Sequence, residues 1–115
     1  MTALAGVLHS FYNGVENIFL SIMKNLDQED LSGAGWHKEL LEKMTVETRN
    51  RKPVITIEIA SQLDDYLGFR HFFRHSYCDL LEWDKLGRLV SLVVDVWNQL
   101  KAEVNIFLAS AGLTP

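Results

Sequence analysis

Two long segments of this chain place apolar residues at the spacing of an α-helix, and this pattern constrains the fold more than any other feature. Apolar positions recur every three or four residues through residues 4–26 and again through residues 84–108. Asp84 is a suitable N-cap for the second segment, and Gly112 lies where the end of a helix favours glycine. Each segment would leave an apolar stripe that another helix must cover, so the pattern predicts a bundle of helices.

Between these two segments the periodic stretches are shorter, and one of them fits either a helix or a strand. Residues 36–44 predict a short helix, because their apolar side chains again fall on one side. Residues 54–59 (Val-Ile-Thr-Ile-Glu-Ile) alternate as a strand does, but helical spacing continues beyond them and no partner strand is evident. We therefore expect a helix over residues 54–75, with Pro53 in its first turn, where the missing N–H costs nothing.

The predicted fold class is all-α, an antiparallel helical bundle of about four to five helices. We expect it to form one domain over residues 1–115. Lysine and arginine number 11 against 15 for aspartate and glutamate, which gives a net charge of −4. This charge disfavours a protein that binds nucleic acid over a whole basic face, but it permits a local basic site. Cys78, the single cysteine, cannot form an internal disulfide, and no signal-peptide pattern follows Met1, so we expect a cytoplasmic protein.

One short segment concentrates positive and titratable side chains in this acidic chain: Arg70, His71, Arg74, His75 and Tyr77. On a helix, Arg70, Arg74 and Tyr77 would lie near one line, and His71 and His75 near a second. One interpretation is structural, because arginine and histidine at the end of a helix interact favourably with its dipole. The other interpretation is a site for an anionic ligand.

Such a group of side chains suits the cleavage of RNA. An imidazole that titrates near neutrality can take a proton from a 2′-hydroxyl or give one to a leaving oxygen. A guanidinium can hold the phosphate and stabilise the charge that develops on its oxygens. His71 and His75 could also share a metal ion, but we expect no metal, because Asp79 is the only candidate for a third ligand.

The spacing Arg70-x4-His75-x-Tyr77 resembles the R-x4-H-x-Y motif of HepT-like toxins, and chain length and helix order extend the resemblance over most of the sequence. Those toxins are ribonucleases of the HEPN superfamily, each paired with an MNT-type nucleotidyltransferase antitoxin. The resemblance implies a homodimer with a composite site, in which Arg70 and His75 are catalytic and His71 and Arg74 support substrate binding. It implies metal-independent RNA cleavage to a 2′,3′-cyclic phosphate and a 5′-hydroxyl, without a cofactor. It also implies that the antitoxin attaches AMP to Tyr77.

Two other functions remain open on the sequence alone. Some HEPN relatives bind nucleotides or serve as non-catalytic partner domains of nucleotidyltransferases, and Arg70 and Arg74 would then clamp phosphates while His75 did no chemistry. A helical interaction protein with neither activity is the third possibility. No contact with DNA or with a membrane is expected in any of these cases, and the RNA target, tRNA or mRNA, stays open.

Two further groups of charged residues have a functional and a structural interpretation. The basic run at residues 49–52 (Arg-Asn-Arg-Lys) is either a second contact for RNA or antitoxin or a solvated loop. Asp64 and Asp65 precede Arg70 by about one turn of helix. They could orient its guanidinium or simply remain solvated.

Overall fold

The chain folds into a bundle of α-helices. The computed structural model describes residues 3–27, 31, 33, 35–49, 51–75 and 80–112, and the side chains of residues 3–5, 70–75 and 80–83 are outside this description. Within these ranges four α-helices run Ala3–Ile22 (α1), Trp36–Met44 (α2), Ile57–His75 (α3) and Leu80–Ser110 (α4), and a π-helical turn, Met23–Asp27, continues α1. The predicted all-α bundle is confirmed, and of the ambiguous residues 54–59 the last three belong to α3 while the first three precede it. No helix in the described ranges is both long and apolar enough to cross a membrane.

The core is organised around α1, which packs against α2, α3 and α4. Its buried apolar face includes Leu8, Tyr12, Val15, Phe19 and Ile22, spaced three or four residues apart as the periodicity predicts. Burying one such side chain stabilises the fold by about 2 kcal/mol. The other helices cover this face with buried side chains of their own: Leu40 and Met44 in α2, Ile59 and Leu63 in α3, and Leu86, Leu100 and Phe107 in α4.

Helix α3 begins three residues later than the sequence pattern predicts, so the expected start at residue 54 and the placement of Pro53 in the first turn are wrong. Val54 and Ile55 precede the helix, and their main-chain N–H groups both donate to the carbonyl oxygen of Met44, at 2.9 and 3.2 Å. Both side chains are buried. The β-branched pair therefore belongs to the connection between α2 and α3 and anchors it to the end of α2, instead of forming a helical turn.

The N-cap of α3 is Thr56, and a side chain from α4 binds this cap. The Thr56 hydroxyl accepts a hydrogen bond from the N–H of Ile59 at 3.3 Å, as a capping threonine does. The Glu103 carboxylate accepts from the Thr56 N–H at 2.7 Å and from its hydroxyl at 3.0 Å. The start of α3 is therefore fixed to the C-terminal half of α4.

Helix α4 lies antiparallel to α3 and is longer than predicted. Thr56 contacts Glu103 at one end of the pair, and Tyr66 contacts Leu89 further along, so residue numbers rise in one helix as they fall in the other. The predicted N-cap, Asp84, is instead an exposed residue inside the helix, which already includes Leu80. The prediction for the other end is confirmed, because Gly112 follows the helix with a φ of +77°.

The basic run contains a buried structural residue, which contradicts both interpretations of Arg51 as a solvated or RNA-binding cation. The Arg51 side chain is 1% exposed, and its guanidinium binds both oxygens of Asp27, at 2.8 and 2.9 Å. The same guanidinium donates to the carbonyl oxygens of Val46, Lys52 and Lys43. This bidentate pair joins the end of α1 to the connection between α2 and α3.

We predict that Arg51→Ala destabilises the protein by about 3–5 kcal/mol, because it leaves the buried Asp27 carboxylate without the bidentate guanidinium and removes one donor from each of three carbonyl oxygens. The measurement is urea unfolding followed by circular dichroism. Arg49→Ala is the matched control, since Arg49 is exposed in the same run and should change stability by less than about 0.5 kcal/mol. Equal effects of the two substitutions would contradict a structural role for Arg51.

Candidate functional site at the end of α3

The predicted catalytic segment occupies the last turns of α3. The helix continues through His75, so Arg70, His71, Arg74 and His75 all belong to one continuous helical backbone. Arg70 and Arg74 are four residues apart and thus about 6 Å apart along the axis, and the two histidines have the same spacing. Tyr77 lies outside the described residues, as do the side chains of the other four. Their proposed roles therefore stay predictions.

The helical turn immediately before this segment is firmly packed. The hydroxyl of the buried Tyr66 donates a hydrogen bond to the carbonyl oxygen of Leu89 in α4, at 2.7 Å. Its ring meets Phe11 of α1 edge-on, with 5.2 Å between the ring centroids, and Phe69 is also buried. Position 70 follows Tyr66 by four residues. The helix is therefore held by both α1 and α4 directly where the motif begins.

The two aspartates that precede the motif have different surroundings. The carboxylate of Asp64 accepts a hydrogen bond from the Lys38 ammonium of α2 at 2.7 Å, on the exposed surface. This bond raises the pKa of Lys38 above its usual value. Asp65 is exposed and lies at a groove between α3 and α4. The observed partner of Asp64 thus ties α3 to α2, and the orientation of Arg70 by either carboxylate stays a prediction.

The groove between α3 and α4, here called the α3/α4 groove, has a volume of about 660 Å³ and acidic walls. Glu58 and Asp65 stand on the α3 side and Asp95 on the α4 side, and all three are exposed. Glu103 also lines this groove but is already bound to Thr56. Negative walls repel phosphate groups, so this groove is not suited to RNA.

A second groove, here called the α1/α4 groove, has a volume of about 380 Å³ and no charged residue in its lining. This groove was not predicted from the sequence, although the sequence contains a signal for it. Apolar residues in both helices extend beyond the width of one buried stripe. The lining consists of Val7, Ser10, Phe11, Gly14, Val15 and Ile18 of α1 with Val93, Val94 and Trp97 of α4.

Outside the motif, one close pair of titratable groups connects α1 and α2. His37 Nδ1 lies 2.6 Å from Glu16 Oε2, and the His37 ring stacks on Trp36 with 3.7 Å between centroids. The Glu16 carboxylate is buried, and the imidazole gives it a polar partner within the protein. In the described part of the chain, no group of three or more His, Cys, Asp or Glu side chains is arranged to hold a metal ion.

Comparison with known proteins adds one match. The profile of a family described as HepT-like protein matches residues 3–111, a range that includes all four helices and the whole predicted motif. No curated protein and no solved structure matches the chain. The matched family is associated with toxins of the HEPN type and, in general, with ribonuclease activity.

We predict that Tyr66→Phe lowers the free energy of unfolding by about 1 kcal/mol at neutral pH, because the hydrogen bond to Leu89 is lost. Burial, with a smaller contribution from the negative charge of Asp65, raises the pKa of Tyr66 to about 12. The folded state therefore favours the neutral phenol. The stability that this provides is complete below pH 10, the ordinary tyrosine value, and declines as the pH rises towards 12.

The measurement is urea unfolding of wild type and Tyr66→Phe at a series of pH values. The difference in stability between them should be constant up to about pH 10 and shrink above it. A difference that is unchanged at pH 11 would show that the phenol is not held neutral by the fold.

Proposed function

The chain belongs to the HepT-like family, and on this premise we propose that it is the toxin of a toxin–antitoxin pair, a metal-independent endoribonuclease. The observation that carries the proposal is the position of Arg70-x4-His75-x-Tyr77 inside the range 3–111 that matches the family. The helical backbone through His75 supports it, because the i, i+4 geometry of the cationic residues requires a helix there. The enzyme would act in the cytoplasm on RNA.

The proposed reaction is the transfer of a phosphoryl group within the RNA strand. The 2′-oxygen attacks the adjacent phosphorus atom and loses its proton to a base, and the bond from phosphorus to the 5′-oxygen breaks. The leaving 5′-oxygen takes up a proton, which leaves a 2′,3′-cyclic phosphate and a 5′-hydroxyl. The His75 imidazole suits either proton transfer. Arg70 suits the stabilisation of charge on the non-bridging oxygens, which requires no metal.

A homodimer would supply the second copy of each group. One acid and one base are needed at the same phosphate, and two copies of His75 related by a two-fold axis provide both. Arg74, one turn beyond Arg70, and His71 would extend the cationic row towards the flanking phosphates of the RNA. Because the body of the protein is acidic, binding would be confined to this end of α3.

The proposed partner is an MNT-type nucleotidyltransferase that neutralises the toxin by attaching AMP to Tyr77. The phenolic oxygen would attack the α-phosphorus of ATP and release pyrophosphate, leaving AMP on the tyrosine. The new phosphate would stand two residues from His75 in the sequence and carry a negative charge. It would therefore compete with RNA for the same arginines.

We predict that the purified protein cleaves RNA in the presence of EDTA and that His75→Ala lowers the rate by at least about 100-fold, the usual contribution of a proton-transferring residue. The measurement is a gel assay with end-group analysis of the products. His9→Ala is the matched control, because His9 is a partly buried histidine of α1 outside the motif. Circular dichroism checks that both variants are folded.

The outcome of the same assay separates the proposal from its alternatives. Full activity of His75→Ala would remove His75 from the mechanism. Tight binding of nucleotides by calorimetry without any cleavage would favour a non-catalytic nucleotide-binding domain. Loss of activity in EDTA that returns with a divalent cation would contradict the metal-independent reaction.

We predict that an MNT-type nucleotidyltransferase with ATP adds the mass of AMP to the wild type and that this addition abolishes RNA cleavage. Tyr77→Phe should remain unmodified and uninhibited, because it lacks the phenolic oxygen. Intact-mass spectrometry measures the modification, and the RNA assay measures the inhibition. Tyr12→Phe, a buried tyrosine of α1, is the control and should be modified as the wild type is. Modification of Tyr77→Phe would place the acceptor elsewhere.

A further inference from the structure

Tyr66 connects α3 to two other helices at the turn that leads into the motif. Its hydroxyl donates to the carbonyl oxygen of Leu89 in α4 at 2.7 Å, and its ring contacts Phe11 of α1 edge-on. The residue is only 3% exposed, so water does not compete for this hydrogen bond. Leu89 lies inside α4, where its carbonyl oxygen accepts one helical hydrogen bond and keeps a second lone pair for the phenol. The phenol therefore links three helices at a single buried point.

Position 70 lies on the same side of α3 as this tyrosine. The buried residues Ile59, Leu63 and Tyr66 follow one another at the spacing i, i+4, i+7, which forms one stripe along the helix. Because each residue turns the helix by about 100°, the stripe reaches position 70 four residues after Tyr66. The backbone at the proposed catalytic arginine therefore continues the face that packs against α1 and α4, one turn beyond the phenol.

The apolar contacts of this stripe constrain the rotation of α3 about its axis less than a hydrogen bond does. Burial of apolar surface is non-directional, whereas a hydrogen bond weakens steeply as its angle departs from linearity. The ion pair between Asp64 and Lys38 also restrains the helix, but it is exposed and screened by solvent. The bond from Tyr66 to Leu89 supplies a restraint near the motif that is both buried and directional.

We propose that Tyr66 is a positioning residue for the motif, whose hydroxyl fixes the rotation of the last turns of α3 and thereby the place of Arg70 at the scissile phosphate. This inference rests on the proposed function, in which the arginine stabilises charge on the non-bridging oxygens. A group about 6 Å from the axis of a helix moves by about 1 Å when the helix turns by about 10°. A misplacement of about 1 Å can slow an enzymatic step by as much as about 100-fold. Tyr66 itself touches no substrate.

The test is the rate of RNA cleavage by Tyr66→Phe, which keeps the buried ring and loses the hydroxyl. We expect kcat and kcat/KM to fall together by at least about 10-fold while KM stays within about two-fold of the wild type, as when an interaction made only in the transition state is lost. The pH dependence of the rate should not move, because the hydroxyl takes no part in proton transfer. Circular dichroism checks that the variant is fully folded at the assay temperature.

Thr56→Val is the matched control, because it also removes from α3 a hydroxyl that binds another helix. The Thr56 hydroxyl caps the start of α3, and its loss lowers stability to a similar degree. Residue 56 lies about 21 Å from position 70 along the helix axis, so the substitution should leave kcat within about two-fold of the wild type. Equal slowing by the two variants would overturn the positioning role, since the effect would then follow stability and not location.

Backbone hydrogen exchange, measured by mass spectrometry on the same samples, tests the restraint without any RNA. In Tyr66→Phe the amides of residues 70–75 should exchange at least about 3-fold faster than in the wild type, because the turn before them has lost a restraint. In Thr56→Val the faster exchange should be confined to the first turn of α3. Unchanged exchange at residues 70–75 in Tyr66→Phe would show that the hydroxyl does not hold the end of the helix.

The two measurements distinguish this inference from the proposed function. Slower cleavage by Tyr66→Phe alone, together with faster exchange at residues 70–75, would support both. If the wild type cleaves RNA and Tyr66→Phe cleaves it at the same rate, the positioning role is overturned and the ribonuclease function stands. If the wild type cleaves no RNA, the proposed function fails and the catalytic consequence fails with it. Faster exchange at residues 70–75 would then still identify the hydroxyl as the group that holds the end of α3.

Discussion

Helix α1 is the element on which the rest of the fold depends, because α2, α3 and α4 all pack against it while no contact between α2 and α4 is found among the described residues. An apolar stripe alone does not fix the position of a neighbouring helix along the axis of α1. Two polar contacts fix this position for α2. Glu16 binds His37 at the start of α2, and Asp27 binds Arg51 after its end. The short helix is therefore fixed at both ends to α1, and the start of α3 is fixed with it through the carbonyl oxygen of Met44.

The four helices could be predicted from the sequence because periodicity records which positions are buried, and burial is the main source of helix stability in a protein. Helix starts were less predictable, because they depend on contacts with distant residues. Thr56 caps α3 with the help of Glu103, which is 47 residues away. Asp84 is a favourable residue type for an N-cap, yet the helix extends to Leu80, so residue type alone does not decide where α4 begins.

In the candidate site too, features that depend on neighbouring residues could be predicted from the sequence, and features that depend on distant residues could not. The motif at residues 70–77 could be found because its residues are close in the sequence, and the helix that carries four of them ends at His75 as predicted, although it begins at Ile57 and not at residue 54. The sequence favours a solvated loop or a contact for RNA or antitoxin at Arg51, because a run of charge does not reveal that Asp27 lies against this residue. The α1/α4 groove could not be located from the sequence either, although the extra apolar residues of α1 and α4 are visible in it. An exposed valine such as Val94 has the same spacing as a core residue, and only the packing of α1 on α4 shows which apolar positions are left uncovered.

The two grooves and the end of α3 differ in charge, and their charge determines what each of them can bind. The α3/α4 groove carries Glu58, Asp65 and Asp95, so it repels both RNA and the acidic body of a second copy. The α1/α4 groove is uncharged and can be buried without the cost of desolvating an ion. Only the end of α3 concentrates arginine and histidine in the sequence. In a protein of net charge −4, the proposed RNA binding at that end would have to overcome long-range repulsion, so short-range contacts to the phosphates would be the source of affinity. The proposed composite site would double those contacts at one phosphate group, so dimerisation would contribute to substrate binding as well as to proton transfer.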